Sequence, residues 1–116
     1  MRHGNKGKIL DRKYSARRAL IRSLATSLVL YEKIETTMAK AKALRPFIEK
    51  YVSAAKAGDL AARRHVLGFL YTENAAKKMM DVIGPKYKDR SGGYTRIIKL
   101  GSRLGDGASV ARIEFV

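Results

Sequence analysis

The chain has 116 residues, 46% of them apolar, and carries 25 Lys plus Arg against 10 Asp plus Glu, a formal net charge of +15. That length specifies one domain able to bury roughly two thirds of the surface its unfolded form exposes, while the cation surplus opposes compaction unless a polyanion offsets it. The absence of cysteine excludes disulfides, thiol catalysis and thiolate metal sites, and no stretch reaches the roughly 20 apolar residues of a membrane span.

The opening MRHGNKGKILDRKYSARR has neither the apolar core nor the small-residue cleavage site of a secretory signal, and it lacks the amphipathy of a transit peptide, so a cytosolic protein is expected. Residues 1–13 gather Arg2, His3, Lys6, Lys8, Arg12 and Lys13 among Gly4, Asn5 and Gly7, with Ile9 and Leu10 as the apolar residues after Met1. So little apolar surface does not repay ordering entropy. The segment therefore reads as a basic arm that orders against nucleic acid, with a frayed terminus as the plainer alternative. Residues 14–116 form the globular part.

From about Ser15 to Tyr31, Leu20, Leu24, Leu28 and Tyr31 recur at helical spacing, with Ile21, Ala25 and Val29 widening the stripe and Ser15 as the expected N-cap. Arg18 and Arg22 lie one turn apart on another face, beside Arg17. Like charges so placed cost a few tenths of a kcal/mol, roughly, in an isolated helix, and no acid follows them before Glu32. A phosphate between them would reverse that sign; a solvated face is the alternative.

KIETT, residues 33–37, reads as a short strand feeding a helix capped by Thr36 or Thr37 and running to about Ala57. Its apolar positions Met38, Ala41, Leu44, Ile48, Tyr51, Val52 and Ala55 hold helical spacing through Pro46, where a kink or break is expected. Lys40, Lys42 and Arg45 fall on the first half. Gly58 reads as the stop, Asp59 as the cap of a third helix to about Phe69 carrying Arg63, Arg64 and His65. A fourth helix from Thr72 or Glu73 to Ile83 is expected to end at Gly84-Pro85.

Beyond Pro85 the pattern changes to strands over Tyr94 to Leu100 and Val110 to Val116, expected to pair antiparallel through GSRLGDGAS, with Arg103 at the tip. RSGGYTR, residues 90–96, sets Arg90 and Arg96 about a double glycine. Gly92 and Gly93 allow positive φ and close backbone approach, and the arginines offer forked donors that fit phosphate. A loop whose arginines face water is the alternative. Tyr94 either stacks on a base or packs on the sheet; its alternation with Ile98 and Leu100 favours packing.

No catalytic constellation emerges. His3 sits in the arm and His65 among arginines, neither with a metal-ligand companion, and the carboxylates are scattered as caps, turn formers or counter-charges. No enzyme, no cofactor and no small-molecule substrate is expected.

The opening MRHG, the segment ARRALIRSLATSLVLYEKIETTMAKAKALRPFIEK, the turn DRSGGYTRI and the ending RLGDGASVARIEFV resemble, in order and over essentially the whole chain, the family of the seventeenth protein of the bacterial large ribosomal subunit. The resemblance implies a compact α/β domain of the α+β type, about four helices packed on a small three-stranded mixed or antiparallel sheet, with a basic amino-terminal arm along ribosomal RNA. By position it implies RNA-facing roles for Arg2, His3, Lys8, Arg12, Arg17, Arg22, Thr36, Thr37, Lys40, Lys42, Arg45, Arg90, Gly92, Gly93, Tyr94, Thr95 and Arg96. To these the cation pattern itself adds Lys6, Lys13, Arg18 and Arg103. Family members commonly have Gly where Asp11 stands and His where Ala16 stands, so a close backbone approach at 11 and a contact at 16 are not carried over. The resemblance also implies a monomer within the ribosome, on the solvent side of the large subunit near the polypeptide exit, beside other ribosomal proteins. A structural RNA-binding protein is thus the expectation, against a basic DNA-binding regulator, an RNA-processing enzyme, or a basic helix on anionic membrane.

Overall fold

The computed structural model describes Leu10 and residues 12–116; Arg2, His3, Lys6 and Lys8 of the expected arm lie outside the described residues. The helix expected from about Ser15 to Tyr31 is α1, Tyr14–Tyr31, which buries Ile21, Ala25, Leu28 and Val29; Leu24 is partly buried and Tyr31, at the end of the expected stripe, is exposed. Ser15 is not its cap. Lys13 holds the N-cap position without a side-chain bond, and Ser15 falls inside the first turn. The helix ends at Glu32, whose N–H bonds the Leu28 carbonyl at 2.7 Å and whose left-handed φ of 65° turns the chain out of the helix.

A short strand, β1 (Lys33–Thr37), leads directly into α2 (Met38–Ala57). Of the two candidate threonines it is Thr37 whose hydroxyl caps α2, accepting from the Lys40 N–H at 3.4 Å. The helix runs unbroken through Pro46, which lies exposed within it. The lost backbone bond is outweighed because Ala41 and Leu44 before the proline and Ile48 and Val52 after it are all buried in one core, which fixes both halves.

Gly58 closes α2 with φ 69°, and the Asp59 carboxylate accepts from the Ala62 N–H at 2.8 Å to open α3 (Leu60–Phe69). Thr72 caps α4 (Glu73–Lys78) in the same way, through the Ala75 N–H at 3.2 Å. The expected stop at Gly84-Pro85 does not occur. A π-helical turn over Met79–Ile83 widens the coil, the Gly84 N–H bonds the Met79 carbonyl, and the chain continues as α5 (Gly84–Lys86). Pro85 stands in the first turn of α5, where a missing N–H costs least. Gly84 serves close packing instead: a Cβ there would lie 2.8 Å from the Ala55 carbonyl oxygen of α2.

The remaining strands, β2 (Thr95–Ser102) and β3 (Ser109–Phe115), pair antiparallel, and β1 joins the other edge of β3, giving the order β1-β3-β2. Register places Ile34, Ile113 and Ile97 side by side. Ala111, Ile113 and Phe115 of β3 are buried towards the helices, so the alternating positions Arg112 and Glu114, with Lys33, Glu35 and Arg96 opposite them, form the other face. The four helical segments, the last of them continuous through the π turn, and the three-stranded sheet form one domain around this core.

One flank of α2 fastens the 90–95 turn to the domain. The Glu49 carboxylate accepts from the N–H groups of Tyr94 at 3.0 Å and Thr95 at 3.1 Å and from the Thr95 hydroxyl at 2.9 Å. One turn on, Ser53 donates to the Tyr94 hydroxyl at 3.4 Å. Lys56 donates to the same hydroxyl at 2.9 Å and to the Arg90 carbonyl. The Lys56 and Ser53 bonds draw the Tyr94 phenol below its ordinary pKa against the opposing effect of burial.

Two substitutions test this framework. Glu49→Ala leaves two backbone donors and a hydroxyl without their acceptor in a part-buried place and is expected to cost about 2–3 kcal/mol, with amide exchange accelerated at Tyr94 and Thr95; Glu49→Gln, which keeps one acceptor oxygen, should lose about half of that. Gly84→Ala sets a methyl group against the Ala55 backbone, and urea unfolding should register a loss of about 1–3 kcal/mol; an unchanged midpoint would mean the two helices separate without cost.

Candidate nucleic-acid interface

The cations divide by whether the fold supplies them with a carboxylate. Five ion pairs occur among the described residues: Arg45 with Glu49 at 4.0 Å, Lys78 with Glu32 at 3.6 Å, Arg96 and Arg112 both with Glu114 at 3.5 and 3.4 Å, and Arg103 with Asp106. None of these pairs involves Arg12, Lys13, Arg17, Arg18, Lys40, Lys42, Arg63, Arg64 or Arg90.

Three of those cations meet at one place. Where the start of α1 passes the first half of α2, an open groove of about 590 Å³ brings together Arg17, Arg18 and Lys42 with Tyr14, Phe47 and Tyr51. Arg17 stands over the Tyr14 ring at 5.5 Å, and its guanidinium also donates to the Arg12 carbonyl at 3.4 Å. On the far wall the Tyr51 ring lies between His65 of α3 at 4.7 Å and Phe69 at 4.1 Å, and Phe47 stacks on Phe69 at 6.2 Å. Burial raises the Tyr51 phenol pKa, opposed by the nearby charges of Arg18 and Arg22.

Arg22 is engaged within the chain. Its Nε donates to the Phe69 carbonyl at 2.7 Å and its Nη2 to the Gly68 carbonyl at 3.2 Å, while the guanidinium covers the Tyr71 ring at 4.4 Å. It closes the end of α3, where carbonyls lack helical partners. Tyr94 and Thr95 are 1% and 2% exposed, with their hydroxyls and N–H groups bound to α2. Thr36 lies opposite Ala111 on the helix-facing side of β1, and the hydroxyl of Thr37 is engaged as the α2 cap.

Around the glycine turn, Gly93 has φ 64° with open space where a side chain would be, and Arg90 is exposed with its Nε on the Gly92 carbonyl at 3.2 Å. Arg96 points to the open sheet face. There partial burial disfavours the charged form of Glu114, but Arg96 and Arg112 outweigh that and hold its carboxyl below the ordinary range. Two guanidiniums on one carboxylate leave that patch cationic. Arg103, at the hairpin tip, pairs with Asp106, whose pKa the guanidinium and the Ala108 N–H bring down to about 2; its charge is met locally. Lys40, Lys42 and Arg45 line the first half of α2, Arg45 partly engaged by Glu49.

Sequence spacing missed the aromatic partners of the groove. Phe47 lies off the buried stripe of α2 and one turn before Tyr51, among basic residues, which was the available signal; Tyr14 stands inside a basic run.

Comparison with known proteins bears on the whole chain. Residues 20–116 match the family described as Ribosomal protein L17. The chain is 52% identical over 116 residues to the large ribosomal subunit protein bL17 of Rickettsia bellii, covering all of this chain and 82% of that protein. It is 50% identical to the bL17 of Paramagnetospirillum magneticum and 47% identical to that of Acidobacterium capsulatum, each over the full chain and over 83% and 72% of those proteins. A family match spanning residues 20–116 and relatives about half identical over the whole of this chain lead to one conclusion: the chain belongs to the ribosomal protein L17 family.

Proposed function

We propose that the chain is a structural component of the large ribosomal subunit that binds folded ribosomal RNA through its phosphates and holds that RNA in shape. The ribosomal protein family and the relatives, named large ribosomal subunit proteins, support the assembly. The observation that carries the mode of binding is the set of cations on α1 and α2, Arg17, Arg18 and Lys42 foremost, that converge on one groove and enter no ion pair within the described residues. Concentrated cations without internal counter-charge lower the free energy of a polyphosphate neighbour by releasing its condensed counterions. The glycine turn adds a second contact, with Arg90 exposed and Gly93 able to bring bare backbone to RNA. Other large-subunit proteins near the polypeptide exit are the proposed neighbours of this monomer, and its work is done in the cytoplasm. Membrane binding is the weaker reading, and no helix of the described residues is long and apolar enough to cross a bilayer.

Filter binding to a large-subunit RNA fragment at several salt concentrations should give log K falling against log salt with a slope of about −6 to −7 if about eight phosphates are neutralised; affinity that ignores salt overturns the reading. Arg18→Ala is expected to shallow that slope by about 1 at unchanged melting temperature. Arg22→Ala should instead destabilise the domain by about 1–3 kcal/mol, since it deletes charge-assisted bonds to two carbonyls and a ring contact, and the slope should stay as it was.

A further inference from the structure

The rings on the α2–α3 side of the groove form a ladder. From His65 through Tyr51 and Phe69 to Phe47 the successive centroids are 4.7, 4.1 and 6.2 Å apart, with interplanar angles of 27°, 13° and 6°. Phe47 ends this ladder and is 44% exposed, and Tyr14 on the α1 side is 67% exposed. Two large aromatic rings held at the rim of an open groove keep apolar surface in water that ordinary core packing would remove. Among the described residues the groove lining contains Arg17, Arg18 and Lys42 and no carboxylate. A volume of about 590 Å³ falls within the roughly 300–1,000 Å³ of small-molecule sites.

These properties select the occupant. Cations without an acid require an anion, and parallel rings favour a flat aromatic one. Residues 1–9, MRHGNKGKI, are themselves cationic and would meet repulsion from the three cations there. A nucleotide satisfies both demands: its base has a face to stack and its phosphate an acceptor for forked donors.

We propose that the groove between α1 and α2 receives one unstacked nucleobase from a single-stranded or bulged RNA segment, seated against Tyr14 and Phe47, with the flanking phosphates on Arg17, Arg18 and Lys42. The proposal rests on the RNA-binding reading above and adds to it a point of base contact within a phosphate-dominated surface. Stacking of this kind tolerates any base, so the groove recognises that a nucleotide is flipped out and does not read which one it is.

The test compares a fluorescently labelled single-stranded RNA hexamer with an abasic ribose-phosphate hexamer of equal charge, by anisotropy at low salt, for the full chain and for Tyr14→Ala and Phe47→Ala. The unmodified protein is expected to bind the base-bearing hexamer about tenfold more tightly. Each variant should lose most of that preference while binding the abasic hexamer as before. Tyr14→Ala carries the test if Phe47→Ala loosens the fold, since Tyr14 lies largely outside the core. Equal affinity of the unmodified protein for the two hexamers overturns the base site, and if that shared affinity still falls steeply with salt the phosphate reading stands. Variants that lower the melting temperature but keep the full base preference assign the rings to packing within the chain, which also overturns it.

Discussion

Ten carboxylates cannot neutralise twenty-five cations, so the placement of the acids decides what the surface of this domain is. The fold commits five of them to architecture. Glu49 fastens a turn by its backbone N–H groups, Asp59 caps a helix, and Asp106 closes the β2–β3 hairpin through Ala108 and Arg103. Glu114 lies between two arginines on the sheet, and Glu32, at the end of α1, meets Lys78. A carboxylate bound to backbone N–H groups is strongly held, which keeps it away from the α1–α2 groove. The unbalanced charge of that groove follows from how the rest of the molecule is tied together.

Helix α2 joins the two consequences. Its flank Glu49, Ser53 and Lys56, stepping by four and three residues, grips the turn that carries Arg90 and Gly93, while Lys42, Phe47 and Tyr51 line the groove against α1. A helix that holds both cationic regions must keep one register over its length. The passage of α2 through Pro46 without a break has this use: burial of Ala41, Leu44, Ile48 and Val52 in one core secures the register of both halves. The close contact of Gly84 with Ala55 locks the far end of the same helix.

The legible features in the sequence were those whose chemistry is local. Asp59 and Thr72 are caps whatever surrounds them, Gly58 is a stop because a left-handed φ near 69° is least strained at glycine, and α1 buries Ile21, Ala25, Leu28 and Val29 of its apolar stripe while Tyr31 stays exposed. What was not legible depended on distant partners. Arg18 and Arg22 stand one turn apart and look equivalent, yet Arg22 meets the carbonyls of Gly68 and Phe69, 46 and 47 residues away, and Arg18 borders the groove. Gly84-Pro85 carries the signature of a helix end, but a π turn just before it and the Ala55 backbone beside it turn that signature into a packing contact. Tyr94 and Thr95 sit in a basic turn that suggests a surface, and Glu49 draws them inside.

The starts of α4 and α1 differ in how their charges meet the helix dipole. α4 follows the macrodipole, with Glu73 in its first turn and Lys77 and Lys78 in its last. α1 inverts the rule: its first turn has no acid, Lys13 occupies the N-cap, and Arg17 and Arg18 follow one turn later. In the free domain each such cation costs a few tenths of a kcal/mol, roughly, against the positive end of the dipole. A phosphate at the same place is favoured by the dipole and the side chains together. Screening salt therefore relieves strain in the free domain and weakens its attraction for a polyanion, so the two states respond to ionic strength with opposite sign. Charge spread over a surface merely for solubility has no such focus, because its repulsions and its attractions are not concentrated on the same few residues.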